Sequence, residues 1–219
     1  MTPTDVSNLA LAEGATRSLI QGFPPIDNTP AAVAANLFYT PKTRSLLRGA
    51  PWGFSRRQVL LTLLRRAVES DGSLSTDPPV QPWLFEYLMP SDALRARFLI
   101  QYQTTTTSSV PLTTGQSGFT VPTAYAVTRV PFVLAVDMAT GIPRKTILTN
   151  MENAMLVYTM DLSQSPDMWD SMFLTAETAY LASFLIANLA GDRSLMMTQI
   201  QIAKAALDQA RGVDGNERI

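Results

Sequence analysis

Cysteine and histidine, two side chains that carry much of enzyme chemistry, are both absent from the 219-residue chain. Without cysteine, the chain has no disulfide, no thiol nucleophile and no zinc–thiolate site. Without histidine, it lacks the most common general base, the most common zinc ligand and every triad built on imidazole. Carboxylates and lysines remain, so these absences weigh against an enzyme without excluding one. We expect no enzymatic activity, no cofactor and no metal site.

Charged side chains are scarce as well, at 16% of the residues, whereas hydrophobic ones make up 46%. This balance indicates either a well-filled core or apolar surface that is buried between subunits. No signal peptide is visible. The most apolar run, 179–190, has 12 residues, fewer than the about 20 that a membrane helix needs. We therefore expect a buried helix there, and a protein that is made and kept in the cytoplasm.

The charges that are present are unevenly distributed along the chain. The segment 42–66 holds seven basic residues and no acidic one, and the segment 147–192 holds six acidic residues and no basic one. Such a separation can serve nucleic-acid binding or the contact of complementary protein surfaces.

Five segments carry the spacing and capping signals of helices. In each, apolar residues recur every three or four positions, and a capping or breaking residue lies at an end. Pro41 should kink or split the second of these helices near 37–40. The fourth segment is apolar nearly all round, which indicates a helix packed on several sides. The predicted helices span 5–13, 30–49, 55–69, 165–190 and 193–210, the last four with the caps Thr29, Ser55, Ser165 and Asp192.

Between the third and fourth predicted helices the pattern changes. Residues 103–118 are rich in threonine and serine, a composition that cannot bury enough surface to fold by itself. Runs of β-forming residues then predict strands over 129–137, 145–150 and 154–161. The expected fold is therefore mainly α, a bundle of about five helices with a small inserted β-sheet or long hairpin. The expected parts are an N-terminal helical part over 1–100, an uncharged loop and β insertion over 101–162, C-terminal helices over 163–211 that complete the same helical domain, and a polar tail over 212–219.

Four stretches, taken in order, resemble a known family. The first contains a Leu-Arg pair followed by Trp-Gly-Phe and an arginine-rich segment, and the second reads Tyr-x-x-Pro-x-Asp-x-x-Arg. The third is a pair of predicted strands, and the fourth is the long apolar helix closed by Gly-Asp. These stretches, at 47–57, 83–95, 147–159 and 169–192, resemble the head-to-tail adaptor family of tailed bacteriophages (tail tubular protein A-like) over about 45–210.

The resemblance implies a structural protein of the virion neck, present in the host cytoplasm during assembly and not bound to a membrane. It implies a homo-oligomeric ring, commonly of twelve copies, docked on the portal protein and joined to a tail or nozzle protein. Genomic DNA would pass through the lumen without sequence-specific binding. A stopper or connector of a long-tailed phage neck is an alternative in the same class. An arginine-dependent DNA-binding accessory protein is an alternative in another class.

Two sets of residues are candidates for a structural or an interface role. Residues of the resembling stretches are the predicted structural anchors: Trp52, Phe54, Trp83, Tyr87, Pro90, Asp92, Trp169 and Phe173. Charged residues of the two segments are predicted to pair between subunits or with the portal, as the complementary patches of a closed ring do: Arg44, Arg48, Arg56, Arg57, Arg65, Arg66, Glu152, Asp161, Asp170 and Glu177. The arginines could instead contact DNA or solvent, and the acids could cap helices. The uncharged segment 98–128 and the tail after Arg211 are candidate arms that order on a partner.

Overall fold

The computed structural model describes residues 1–14, 18–26, 28–101, 130–138 and 141–216. Within these residues the chain has four α-helices and seven strands in two antiparallel sheets, a mixed α/β fold with 42% helix and 25% strand. The prediction of a mainly α bundle is therefore wrong, because strands form well outside the predicted insertion. The predicted arm over 98–128 lies mostly outside the described residues, and so do the last three residues of the predicted tail.

The elements follow one another with the helices at the two ends of the chain. A single 3₁₀ turn, Pro166–Met168, precedes the third helix. In chain order the elements are α1 (Pro3–Glu13), α2 (Pro30–Gly49), β1 (Arg56–Leu60), β2 (Thr62–Arg66), β3 (Phe85–Leu88), β4 (Ala93–Gln101), β5 (Phe132–Asp137), β6 (Arg144–Thr149), β7 (Ala154–Met160), α3 (Ser171–Leu189) and α4 (Arg193–Asn216).

The chain divides into two compact units, each built from segments that are separated along the chain. Unit 1 comprises Met1–Arg57, Asp92–Arg95 and Tyr158–Ile219, and unit 2 comprises Gln58–Ser91 and Ala96–Val157. Unit 1 therefore contains all four helices, and unit 2 contains the whole four-stranded sheet, whose order is β2-β3-β6-β5. The strands of the three-stranded sheet, in the order β1-β7-β4, contribute residues to both units.

The core of unit 1 is built around α3, which α1, α2 and α4 all contact. This arrangement explains why α3 is apolar nearly all round, because each of its sides meets another helix. Its length and composition would also suit a membrane span, although 56% of it is buried inside the fold. The most buried large side chains of this core include Leu11, Tyr39, Trp52 and Phe173.

Side-chain caps start α2 and α4 where the sequence predicted them, and α1 starts two residues before its predicted position. Thr2 and Asp5 form a capping box at α1, and the Thr29 hydroxyl accepts from the Ala32 amide at α2. Asp192 accepts from the Leu195 amide at 3.0 Å and starts α4. The long helix is the exception. The predicted start at Ser165 yields only the 3₁₀ turn, and Asp170 caps α3 by accepting from the amides of Met172 and Phe173.

The other helix boundaries differ in two places. Helix α2 runs through Pro41 as one helix, so of the predicted kink or split the split does not occur. The proline ring removes one backbone hydrogen bond of the helix. Because Pro41 is exposed, this break lies on the solvent side of α2. Helix α4 extends to Asn216 rather than ending near 210, and the carboxylate of Asp214 accepts the amide of Gly53.

The segment 55–69 forms β1 and β2, so the predicted third helix is wrong. The Ser55 hydroxyl donates to the Trp52 carbonyl rather than capping a helix. Strand β2 pairs antiparallel with β3, and the register places Leu63 opposite Tyr87 and Arg65 opposite Glu86, with an irregularity between Leu63 and Arg65. Short apolar runs do not distinguish strands from helices by spacing alone, and pairing in the sheet decides the outcome.

Strands β5, β6 and β7 agree with the three predicted strands to within a few residues, whereas β3 and β4 were not predicted. Strand β6 pairs antiparallel with both β3 and β5, and Ile147 lies opposite Tyr87 on one side and Leu134 on the other. A turn that places Asn153 at a positive φ of 54° connects β6 to β7. The buried side chains of unit 2, among them Leu99, Ile147 and Leu156, form its apolar interior.

Candidate assembly surface

Four aromatic side chains join the loop after α2 to the start of α3. The ring of Phe173 lies 5.0 Å from Trp52, 5.1 Å from Phe54 and 5.3 Å from Trp169, measured between centroids. The two indole groups donate hydrogen bonds to the carbonyls of Leu46 and Leu162. These predicted anchors therefore lie in the core of unit 1, where offset and edge contacts between rings stabilise the packing.

Asp92 connects three segments of unit 1 through its side chain and backbone. Its carboxylate forms an ion pair with Arg57 at 2.8 Å and accepts the Tyr158 hydroxyl at 3.0 Å. Its carbonyl accepts the Asp161 amide at 2.8 Å. Burial, with the hydrogen bond to Asp92, raises the pKa of Tyr158 to about 12. Tyr158 therefore stays a neutral donor at physiological pH and holds Asp92 in place.

Next to Asp92, Asp161 binds an arginine of α2. The Arg44 guanidinium lies 2.7 Å from the Asp161 carboxylate, and the Ser163 amide donates to the same carboxylate at 3.0 Å. One turn further along α2, the Arg48 carbonyl accepts a hydrogen bond from Arg95 at 3.3 Å. Arg44, which was predicted to pair between subunits, thus pairs within its own chain.

We call Arg44, Arg48, Arg57 and Arg95, with Asp92 and Asp161, the arginine surface. It carries four cations and two anions, and all six residues belong to unit 1. The side chains of Arg44 and Arg57 are each 51% exposed although both are paired. Arg48 and Arg95 are exposed, and Arg48 forms no ion pair with any described residue. The surface therefore keeps a net positive charge that can attract an anionic partner.

Arg65, another predicted interface residue, is occupied inside unit 2. Its guanidinium binds Asp77 at 2.7 Å, Glu86 at 2.7 Å and Asp137 at 3.0 Å, and Arg144 also binds Asp137, at 2.8 Å. The side chains of Glu86 and Asp137 are only 6% and 4% exposed. Hydrogen bonds to Asp77, Glu86 and Asp137 raise the pKa of Arg65. Arg65 therefore neutralises buried carboxylates and is not available to a partner.

Four members of this network were missed by the sequence analysis: Asp77, Glu86, Asp137 and Arg144. Glu86 and Asp137 are single acids within apolar runs, and each lies on a strand. A buried charge is almost always paired. A single acid within a strand-like apolar run was therefore the signal in the sequence that could have indicated a buried ion pair. Arg66 follows on β2 and is half-buried, and Arg56 is exposed at the start of β1.

The four predicted acidic residues do not form one patch. Glu152 is exposed in the turn before β7 in unit 2, and Asp161 belongs to the arginine surface. Asp170 caps α3, which agrees with the capping alternative. Glu177 is completely buried, which removes it from any contact between subunits.

The three other predicted anchors lie in unit 2. Tyr87 is buried, and its hydroxyl donates to the Met151 carbonyl at 2.9 Å. Trp83 and Pro90 are half-buried on either side of β3. Of the three, Tyr87 joins the second resembling stretch to the third, through its hydrogen bond to Met151 and its pairing with Ile147.

The arginine surface could bind an anionic partner. Its arginines present donors to solvent, and a guanidinium binds carboxylates and phosphates through paired hydrogen bonds. Within the part of the chain that the structure describes, no group of three or more carboxylates could hold a metal ion. In comparisons with known proteins, no protein-family model matches the chain and no curated protein sequence matches it significantly.

Proposed function

We propose that the chain is a structural subunit of the head-to-tail adaptor of a tailed bacteriophage. In this role it forms a ring with copies of itself, docks on the portal protein and provides the attachment site of the tail. The ring helps to retain the packaged DNA and conducts it through the lumen without reading its sequence. The protein acts in the neck of the virion and resides in the host cytoplasm during assembly.

One observation carries the proposal: residues of all four resembling stretches contact one another. Phe173 of the fourth stretch packs on Trp52 of the first. Arg57 of the first binds Asp92 of the second, and Asp92 binds Tyr158 of the third. A chance likeness of short motifs would not be expected to fall on residues that touch in the fold. These contacts support the resemblance, because they bring the four stretches together in space as parts of one arrangement.

The arginine surface supports the mechanical role that the proposal assigns. A ring of identical subunits closes through a heterologous interface, in which one patch meets a different, complementary patch on the next copy. Exposed arginines on a rigid helix are suited to such a contact, because they keep their charge at every physiological pH.

The test is to mix the purified chain with portal rings from the same phage and to image the product by electron microscopy. We expect a second ring on the tail-facing side of the portal. Arg48→Glu should weaken this assembly, whereas Lys204→Glu, an equal charge change on the exposed side of α4, should not. Chains that stay dispersed beside intact portal rings at high concentration would overturn the proposal.

A second candidate function, binding of DNA through the arginines, is favoured by the half-exposed guanidiniums of Arg44 and Arg57. Binding through phosphates weakens steeply as salt rises, because each contact releases condensed counterions. A gel shift that disappears between low and moderate salt, and that Arg48→Glu weakens, would support this function. Absence of binding at moderate salt would dismiss it.

A further inference from the structure

The exposed side of α2 carries a stripe that the helical core of unit 1 leaves uncovered. Val33 and Leu37 are 57% and 62% exposed, and Pro41, Arg44 and Arg48 continue the same side of the helix. These positions fall within about 80° of the helix circumference at 100° per residue, and the stripe is roughly 22 Å long. It is apolar towards the start of α2 and basic towards its end.

Unit 2 presents a surface of the opposite charge on a short hairpin after β2. Val68 and Leu74 are antiparallel bridge partners, so their side chains emerge on the same face of the hairpin. They are 45% and 83% exposed. Between them lie Glu69 and Asp71, both exposed, and neither forms an ion pair with any described residue.

Internal hydrogen bonds fix the shape of this hairpin before any partner binds. The Glu69 amide donates to the Ser73 carbonyl at 2.8 Å, and the Ser75 amide donates to the Ala67 carbonyl at 3.1 Å. Gly72 turns the chain with a positive φ of 85°, a conformation that suits glycine. A preformed segment loses little conformational freedom on binding, which favours its use as a docking element.

The two surfaces complement each other in charge and in apolar character. Each combines two exposed apolar side chains with two like charges, positive on α2 and negative on the hairpin. Leu74 is the most exposed of the four apolar side chains and suits the role of an anchor that a partner buries. Both surfaces belong to this chain, so each copy supplies one of each.

We infer that the hairpin 67–75 of one copy docks on the exposed side of α2 of a second copy. Leu74 packs against Val33 and Leu37, while Asp71, in the turn of the hairpin, faces Arg48. The contact is heterologous, so it repeats from copy to copy around a ring. The inference rests on the proposed ring and names the surfaces that join its subunits.

The chain offers a clean test because it contains no cysteine. Leu37→Cys and Leu74→Cys are purified as separate single variants, mixed in equal amounts and exposed to a mild oxidant, with and without portal rings. We expect a covalent dimer at about ten times the yield of a collision control, because docking raises the effective concentration of the two thiols. The matched control pairs Leu37→Cys with Ile202→Cys, an exposed position on α4.

A variant that carries both cysteines should give a ladder of covalent oligomers, which a disulfide within one chain cannot produce. Arg48→Glu should lower the yield of the mixed pair, and Asp71→Arg on the other copy should restore it. Yields at the control level, both in free protein and on portal rings, would overturn this contact. If electron microscopy still shows rings on the portal in that case, the proposed function stands without this contact between subunits. Cross-linking by a chain that does not bind the portal would support the contact and overturn the adaptor function.

Discussion

The Thr43 hydroxyl lies 2.6 Å from a carboxyl oxygen of Glu177, in the buried contact between α2 and α3. The same hydroxyl lies 2.8 Å from the Tyr39 carbonyl, which can only accept. The hydroxyl has one proton, which it can donate either to this carbonyl or to the carboxyl oxygen of Glu177. Burial, which outweighs the hydrogen bond to Thr43, raises the pKa of Glu177 to about 8. The glutamic acid is therefore neutral in the folded chain at pH 7.

This neutral acid makes the stability of unit 1 depend on pH. Below the unfolded pKa of 4.5, Glu177 is protonated in both states and imposes no penalty. Between pH 4.5 and about 8 the unfolded chain releases this proton and the folded chain keeps it, so stability falls as pH rises. The full loss, reached above the folded pKa, is on the order of 5 kcal/mol.

Glu177→Gln should remove this dependence, because the amide can donate to Thr43 but does not ionise. Urea unfolding followed by tryptophan fluorescence at pH 5 and pH 8 measures the effect. We expect the variant to exceed the original chain in stability at pH 8 and to approach it at pH 5. Glu152→Gln, an exposed acid, is the control and should change neither value. Equal pH dependence in the original chain and the Glu177 variant would contradict the assignment.

Arg65→Ala should destabilise unit 2 strongly. The substitution leaves the carboxylates of Glu86 and Asp137 buried with less compensation, and such a loss costs about 3–5 kcal/mol. Arg144 still binds Asp137, which favours the lower end of that range. The neighbouring Arg66→Ala removes a half-buried arginine and should change the free energy of unfolding by about 0.5 kcal/mol or less. Equal losses in the two variants would argue against a special role for Arg65.

Phe173→Ala should open a cavity at the junction of the first and fourth resembling stretches. Phe173 is fully buried and contacts the rings of Trp52, Phe54 and Trp169. We expect a loss of about 3–5 kcal/mol, and a smaller loss for Phe173→Leu, which refills part of the space. Chemical denaturation measures both. A change below about 1 kcal/mol for the alanine variant would show that the cluster contributes little.

Asp92→Ala should cost more than Asp92→Asn, although both remove the ion pair with Arg57. That pair is partly exposed and contributes about 1 kcal/mol or less. The asparagine oxygen can still accept the Tyr158 hydroxyl, whereas alanine leaves this hydroxyl without its acceptor. Thermal unfolding at low and high salt separates the two effects, because salt screens only the ion pair. If the two variants unfold at the same temperature, the bond to Tyr158 is not a stabilising contact.

The helices could be predicted where a local signal and the packing agree. Thr29 and Asp192 cap helices in the structure because a side-chain oxygen there reaches an amide within the next few residues. Capping depends on neighbours along the chain, so the sequence suffices. Ser165 shows the limit: its side chain makes no capping hydrogen bond, only a 3₁₀ turn follows it, and the α-helix starts after Asp170, whose side chain does cap.

The third predicted helix failed because its spacing fits two structures. Residues 56–66 contain apolar positions at helical intervals, yet β1 pairs with the distant β7, and β2 pairs with β3, whose residues lie 19 to 26 positions away. Nothing local reveals those partners. The candidate surface was also predicted only in part. The clustering of charges along the sequence identified Arg44 and Asp161, but it could not show that they pair with each other within one chain. Pairing between distant segments is a property of the fold.

Unit 1 is assembled from segments at both ends of the chain, and this has a consequence for synthesis on the ribosome. The four-stranded sheet of unit 2 is complete once β6 has been made, whereas Trp52 and Phe54 must wait for Phe173 on α3. Domains that are complete early generally fold first during translation. Asp161, which orders Arg44, also arrives late. A chain that terminates before Asp161 therefore lacks the carboxylate that pairs with Arg44, so the order of translation leaves the arginine surface incomplete until most of the chain has been made.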